Sequence, residues 1–413
     1  MKKNKKNRYK VSSLTKNQII NNDKEKKMSK VYKHDPLREL SEIRNQLSYA
    51  KRLGFLSGAG TSKAMGIPDI ATLTQGIEDS LKDENKTNYL SIKNSLDTHS
   101  QNIEAILNQV RLIRQITKDG NGKSFDNITG DKAKQLDMVI CDEIYKIISS
   151  AELMADLSVA KSFISWLNWV SRDFTKEIFT LNYDLIFEKS FENLLIPFYD
   201  GFIGSHEPFF AHESLDGKSN YDRPPVSWIR LWKLHGSLGW FWKLNDDKKS
   251  QRVIRLSDGA KEKFPNAELV IYPSRDKYES SRKQPFASYF DRLKEFLLSG
   301  EGILIISGYS FSDDHVNEIL FNCLNQNNRL HIMAFFFDEK PLEKIVSEGK
   351  NFPNLTMISP TKASISGICG DWEFSKGSEL LDPFWDSNKL KLGDFKELVK
   401  YLIVCSGIKE KTQ

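Results

Sequence analysis

The sequence lacks any run of about 18 consecutive apolar residues, which is the length that a helix needs to cross the core of a bilayer. Hydrophobic residues nevertheless make up 39% of its 413 residues, enough to build a core of ordinary size. We therefore predict a globular cytoplasmic protein that does not span a membrane.

Cysteine is also scarce, and no two cysteines form a CxxC pair. The chain has four of them, at Cys141, Cys323, Cys369 and Cys405. Disulfide frameworks and zinc ribbons need cysteines at closer and paired spacings. The cysteines therefore indicate a reduced compartment, and we predict no bound metal.

Acidic residues are nearly absent from residues 1–34, which contain twelve Lys or Arg and two acidic residues. Because the whole chain has a net charge of +5, the other residues carry about −5. We interpret residues 1–34 as a disordered, solubilising tail. The alternative is a tail that contacts nucleic acid or an acidic partner.

Strand patterns are missing from about residue 80 to 172, where helical spacing continues without a break, so we predict a helical insertion there. Apolar strand-like runs alternate with helices elsewhere, at 176–184, 229–237, 267–274, 301–310 and 330–338. This alternation predicts an α/β fold with a parallel sheet covered by helices on both faces. We divide residues 35–413 into one domain with this insertion and a C-terminal extension from about 340.

Four predicted strands end in a small polar cluster, and one of them is the apolar run that opens at Leu53. The clusters are Gly58–Ser62, Asn182–Asp184, His235–Ser237 and Ser307–Ser310. Ligands of open parallel sheets bind outside the carboxyl ends of the strands. We therefore expect the four clusters to meet at one crevice.

Three of these clusters allow both a functional and a structural interpretation. Gly58 and Gly60 permit close approach of a phosphate to backbone N–H groups. The structural alternative is a tight turn from strand to helix that binds no ligand. Asn182 and Asp184 can form hydrogen bonds with sugar hydroxyls or orient a water molecule. The structural alternative is that they cap the next helix. His235 is a candidate base at neutral pH, or a structural histidine.

Four segments resemble sirtuin motifs in the family's order, from Gly58 to about Ile319. "GAGTSKAMGIPD" resembles the GAGxS and GIPD segments, "TLNYD" resembles TQNxD, and "LHGS" is similar to the HG motif. "IISGYSFSDDHVNEIL" resembles the GxS segment as it occurs in bacterial sirtuin-like proteins of phage defence.

The resemblance implies NAD as the ligand and a Rossmann-like sheet. It implies that Gly58, Ala59, Gly60 and Ser62 cradle the pyrophosphate. It also implies that Asp69 lies near the nicotinamide pocket.

The same resemblance implies that Asn182 and Asp184 hold the nicotinamide ribose and that His235 is the base. Gly308 and Ser310 are implied to contact the adenosine side. We expect Asn182 to position a water and His235 to accept a proton from that water or from a ribose hydroxyl.

The chain departs from sirtuin deacylases at two points. Ile70 and Ala71 replace their Phe-Arg, and the four-cysteine zinc ribbon is missing. Because the sirtuin-like defence proteins share these departures, the resemblance implies an NAD hydrolase that depletes NAD in phage-infected bacteria. The alternatives are an NAD-dependent protein deacylase or ADP-ribosyltransferase, and a non-catalytic sensor of NAD or ADP-ribose.

The resemblance also implies partners. Family members of this kind assemble as homo-oligomers, and some pair with a hexameric ATPase of the HerA type. We therefore expect a homo-oligomer and such an ATPase as a partner, while nucleic-acid contact through the basic tail stays the alternative to a solubilising role.

Overall fold

The computed structural model describes residues 32–49, 52–98, 101–216, 224–244, 251–256, 268–271 and 284–407. Residues 1–31, most of the predicted tail, lie outside this range. The last three residues of that predicted tail, 32–34, form the first strand of the main sheet.

The described residues form a central ten-stranded sheet. Its strands are β1 (Tyr32–His34), β2 (Arg52–Ser57), β5 (Glu177–Thr180), β6 (Phe198–Tyr199), β9 (Ile229–Lys233), β13 (Gly302–Ser307), β14 (Leu330–Phe335), β15 (Leu355–Ile358), β16 (Lys362–Ile365) and β17 (Ile368–Trp372). Their order across the sheet is β1-β17-β16-β15-β14-β13-β2-β5-β9-β6. The seven strands from β15 to β6 pair in parallel, whereas β16 is antiparallel to both of its neighbours.

Helices cover both faces of this sheet. They are α1 (Pro36–Tyr49), α2 (Ala59–Lys63), α3 (Ile70–Ser80), α4 (Asp83–Ser95), α5 (Ile103–Thr117), α6 (Gly130–Met154), α7 (Ser158–Trp169), α8 (Ile186–Asn193), α9 (Glu213–Asp216), α10 (Phe286–Leu298), α11 (Asp314–Gln326), α12 (Lys340–Ser347) and α13 (Phe395–Cys405). Phe55 of β2 packs into one apolar cluster, with α1, α3 to α8 and α13. Leu56 packs into the other, with α10 to α12. The predicted α/β class, with a Rossmann-like parallel sheet, is confirmed.

The segment predicted as a helical insertion is built mainly from α4 to α7. A short hairpin, β3 (Ser124–Phe125) and β4 (Ile128–Thr129), joins α5 to α6. Buried Asp137 of α6 pairs with Arg111 and Arg114 of α5, at 3.2 and 2.5 Å. The insertion rests on the sheet through Phe163 of α7, whose ring centroid lies 4.5 Å from that of Phe55.

A second, antiparallel sheet lies beside the first. Its strands are β7 (Phe202–Ile203), β8 (Phe209–Phe210), β10 (Gly236–Leu244), β11 (Gln251–Arg255) and β12 (Glu268–Ile271). Of these strands, β12 lies within the predicted strand-like run at 267–274, whereas β7 and β8 contain two residues each and leave no periodic pattern. Only Leu234 and His235 separate β9 in the main sheet from β10 in the second.

The C-terminal part adds β15 to β17, a hairpin of β18 (Trp385–Asp386) and β19 (Lys389–Leu390), and α13. The Tyr401 hydroxyl of α13 donates to the Leu40 carbonyl of α1 at 2.6 Å, which joins the two ends of the described chain. None of the helices that the structure describes is both long and apolar enough to cross a membrane.

Glu177 of β5 provides a test of the packing between β5 and β9. Its carboxylate accepts from Trp232 Nε1 at 2.6 Å, and burial raises the pKa of Glu177 from 4.5 to about 7. The folded chain therefore holds this proton more tightly than the unfolded chain, and stability falls as pH rises from about 4.5 through 7.

We predict that Glu177→Gln, which keeps an acceptor but removes the charge, raises the free energy of unfolding. The gain should be at least about 1 kcal/mol larger at pH 8 than at pH 5. Denaturant unfolding of both proteins at the two pH values measures this. A gain that does not depend on pH would contradict the account.

Candidate functional site

The sheet has a topological switch point at β2. From β2, the chain adds β5 and β9 on one side and β13, β14 and β15 on the other. Because β9, β5, β2 and β13 are parallel, their carboxyl ends lie at one edge. The four polar clusters follow these strand ends, and ligands of open α/β sheets bind at such a switch point.

The glycine clusters after β2 and β13 contact each other directly. Gly58 N donates to the Ser307 carbonyl at 3.0 Å, and Gly60 N donates to the Gly308 carbonyl at 2.9 Å. A Cβ on Gly60 would lie 2.6 Å from Gly308 Cα, and one on Gly308 would lie 2.3 Å from Thr61 N. The N–H groups of Gly58 and Gly60 therefore donate to this second loop, and the pyrophosphate cradle of Gly58, Ala59, Gly60 and Ser62 stays a prediction.

Asn182 joins the loop after β5 to the loop after β2. Its Nδ2 lies 3.0 Å from the Gly58 carbonyl oxygen, 2.7 Å from Ser62 Oγ and 3.2 Å from Thr61 Oγ1. A carbonyl oxygen can only accept, so the atom facing it is the NH₂ group. Among the described residues no group donates to Asn182 Oδ1, so this acceptor is available to a ligand.

Asp184 caps the next helix, as its sequence position suggested, and also contacts the loop after β2. Its Oδ1 accepts from Ile186 N at 3.2 Å at the start of α8, and its Oδ2 accepts from Ser62 Oγ at 2.6 Å. Buried Lys233 donates to the Asp184 carbonyl and, at 2.9 Å, to Glu188 Oε1. Sequence reasoning missed Lys233, because a lysine inside an apolar strand run carries no motif.

A cavity of about 70 Å³ opens beside Asn182. Its lining residues are Ala59, Ser62, Ile67, Pro68, Ile70, Leu73, Ile103, Glu104, Ile148, Leu181, Asn182, Tyr183 and Asp184. The lining is mostly apolar, with polar groups at the Asn182 side and the Glu104 carboxylate, which accepts from the Tyr183 hydroxyl at 3.2 Å. Glu104 was also missed, because it comes from the helical insertion, far from any motif.

His235 lies at the neighbouring strand end. Thr180 pairs with Lys233, so Asn182 and His235 each come two residues after paired positions of β5 and β9. The His235 side chain is buried, with 4% of its surface exposed. The strand register thus brings the two predicted catalytic residues to adjacent positions.

Asp313 holds the His235 ring. Its Oδ2 lies 3.0 Å from His235 Nε2, and its Oδ1 caps α11 by accepting from the backbone N–H groups of His315 and Val316. Burial alone would raise the pKa of Asp313, but these hydrogen bonds and the charge of the histidine hold it well below its usual range. Because the carboxylate only accepts, Nε2 of His235 carries a proton, and in the neutral form of the ring Nδ1 is the nitrogen that can accept.

Two predicted residues have other contacts. Asp69 caps α3 by accepting from Thr72 N at 2.9 Å and binds Lys63 Nζ at 2.7 Å, which with the capping bond lowers its pKa to about 2. Its neighbours Pro68 and Ile70, and not Asp69 itself, line the cavity. Ser310 is exposed and donates to Ser312 Oγ at 3.1 Å.

Within the part of the chain that the structure describes, no three His, Cys, Asp or Glu side chains are grouped closely enough to hold a metal ion.

Residues 176–353 match the family model of the SIR2-like domain. The match covers less than half of the chain, and it includes Asn182, Asp184, His235 and Asp313. It does not include the loop after β2 or any part of the helical insertion. This part of the chain is therefore similar to SIR2-like domains.

Among solved structures, Sir2Tm bound to a propionylated peptide is 10% identical with a TM-score of 0.40, over 90% of this chain and 99% of that chain. Sir2 bound to an acetylated peptide is 11% identical with a TM-score of 0.39, and the alignment covers 90% of this chain and 99% of that chain. A mutant Sir2 homologue in complex with ADP-ribose is 12% identical with a TM-score of 0.36, and the alignment covers 89% of this chain and 98% of that chain. No curated protein matches the chain.

The contact between the two glycine loops predicts unequal effects of alanine at two glycines. Gly308 and Gly300 both have positive φ, +66° and +94°, but a Cβ on Gly300 meets nothing within 4 Å. Gly308→Ala should therefore lower the free energy of unfolding by about 1–3 kcal/mol more than Gly300→Ala. Denaturant unfolding of both variants measures the difference, and equal losses would contradict the close contact.

Proposed function

We propose that this protein hydrolyses NAD⁺ to nicotinamide and ADP-ribose. The observation that carries the proposal is the Asn182 amide, whose nitrogen is fixed by the loop after β2 while its oxygen is available beside the cavity. The match of residues 176–353 to the SIR2-like domain supports NAD as the substrate.

The reaction needs few groups from the protein. The bond between ribose C1′ and the pyridinium nitrogen breaks, and its electron pair passes to the ring, so nicotinamide leaves as a neutral molecule. An oxocarbenium-like ribose remains, and water adds to C1′ and loses a proton. In this proposal Asn182 Oδ1 accepts a hydrogen bond from the water or a ribose hydroxyl, and His235 Nδ1 accepts the proton.

The cavity suits the nicotinamide end of the substrate. Its walls are apolar, two carboxylates line it, and its described lining includes no Lys or Arg. Pockets that hold whole small ligands measure about 300–1,000 Å³, so a cavity of about 70 Å³ accommodates one end of NAD only. The remainder of the dinucleotide would extend along the strand ends toward Gly308 and Ser310.

One observation favours a second candidate, a sensor that binds NAD or ADP-ribose without turnover. His235 is only 4% exposed, and its Nε2 is bound to Asp313. A buried base contacts the substrate only if the strand ends shift on binding. Tight NAD binding with no nicotinamide release would establish this candidate.

We extend the proposal to regulation and biological role. NAD depletion in phage-infected bacteria, a homo-oligomer and a hexameric ATPase partner of the HerA type are supported by the sequence resemblance to defence proteins alone. Co-purification with a co-expressed ATPase of this type, across a range of salt concentrations, tests the partner.

We predict that Asn182→Ala lowers the rate of nicotinamide release from NAD by about 100-fold or more, because the acceptor for the water or hydroxyl is lost. Asn193→Ala is the matched control, since the side chain of this exposed asparagine of α8 donates to the Lys189 carbonyl of its own helix. Chromatographic assay of nicotinamide measures the rates, and circular dichroism checks folding. Retained release in a folded Asn182→Ala variant would overturn the assignment.

A further inference from the structure

We propose that Glu104, supplied by the helical insertion, recognises the positive charge of the substrate's ribosyl-pyridinium end. The inference rests on the proposed function and deepens it, because it assigns charge selection to a residue outside the sirtuin-like motifs. It predicts that the cavity prefers a cationic ring to a neutral ring of the same shape.

The backbone that carries Glu104 is held firmly. Glu104 is the second residue of α5, whose start is capped by the Asn102 side chain, which accepts from Ala105 N at 3.0 Å. Ile103 N donates to Thr74 Oγ1 of α3 at 2.9 Å. The first turn of α5 is therefore anchored to the wall of the cavity.

Tyr183 links this carboxylate to the candidate catalytic loop. Its hydroxyl donates to Glu104 Oε1 at 3.2 Å, and its backbone carbonyl accepts from Leu238 N of β10 at 3.0 Å. Tyr183 stands between Asn182 and Asp184, and all three line the cavity with Glu104. Tyr183 thus holds the Glu104 carboxylate beside the cavity that, in the proposed function, contains the reacting end of the substrate.

The balance of charge in the cavity supports this role. Glu104 and Asp184 are the acidic residues of its lining, and that lining includes no basic residue. The Asp184 carboxylate already accepts from Ser62 Oγ and Ile186 N. Glu104 is partly buried, and near a protein surface an anionic carboxylate attracts a cation more strongly than it does in bulk solvent.

The positive charge stays near Glu104 during the reaction. It lies on the pyridinium ring before the C1′–N bond breaks and moves to the ribose as the bond breaks, while nicotinamide becomes neutral. Glu104 therefore stabilises both the bound substrate and the transition state, and its attraction for the departing ring is lost. Its removal should lower kcat/KM more than kcat.

Binding of NAD⁺ and NADH separates charge from shape, because NADH carries a neutral dihydropyridine ring. In an Asn182→Ala background, which slows the consumption of NAD⁺ during the measurement, we expect Glu104→Gln to lower the ratio of NAD⁺ to NADH affinity by about 10-fold. Tyr183→Phe should lower the ratio by a smaller factor. Glu84→Gln is the control, since exposed Glu84 pairs with Lys132 elsewhere on the insertion.

Each outcome has one meaning. An unchanged ratio in Glu104→Gln, or equal losses of NAD⁺ and NADH affinity, would overturn the role in charge recognition. If Glu104→Gln does not fold, Glu104→Asp replaces it and should still bind NAD⁺ more tightly than NADH. The unaltered chain should bind NAD⁺ at least about 10-fold more tightly than NADH. Equal affinities of the unaltered chain would also overturn the inference.

Failure of the proposed function would look different. A chain that prefers NAD⁺ through Glu104 but never releases nicotinamide is a charge-selective sensor. A chain that releases nicotinamide with no contribution from Glu104 is a hydrolase whose cavity recognises shape alone.

Discussion

The candidate site depends on the contact between the two glycine loops at the ends of β2 and β13. Gly58, Gly60 and Gly308 approach so closely that no side chain fits between them, and backbone hydrogen bonds join the loops. This contact fixes the Gly58 carbonyl, which in turn fixes the Asn182 amide. The orientation of the proposed catalytic group therefore follows from backbone packing at the switch point of the sheet.

Around this contact, several buried polar groups hold one another in place. Asp313 orients His235, while Ser62 links Asp184 to Asn182. These groups are distributed over four strand ends, so the parallel register of the sheet is what brings them together. The helical insertion completes the cavity with Ile103, Glu104 and Ile148, and any chemistry there depends on how the insertion packs on the sheet.

Much of the fold could be predicted from the sequence, because apolar runs and helical spacing report burial directly. The second sheet could be predicted only in part: β12 lies within the run at 267–274, whereas β7 and β8 contain two residues each and leave no periodic signal. The motif residues Asn182, Asp184 and His235 were found because small polar clusters after buried strands are conspicuous. Asp313 and Glu104 were missed, because only tertiary structure brings a helix cap and an insertion residue to the site. For the same reason the sequence could not show that Gly58 and Gly60 bind the loop after β13.

The central claim is that this arrangement cleaves NAD⁺ with water as the acceptor. The most direct measurement is to incubate the purified chain with NAD⁺, without any acceptor protein, and to quantify nicotinamide and ADP-ribose by mass spectrometry. The account predicts that the two products appear in equal amounts as NAD⁺ disappears. Intact NAD⁺ bound to the chain, or nicotinamide without free ADP-ribose, would contradict it.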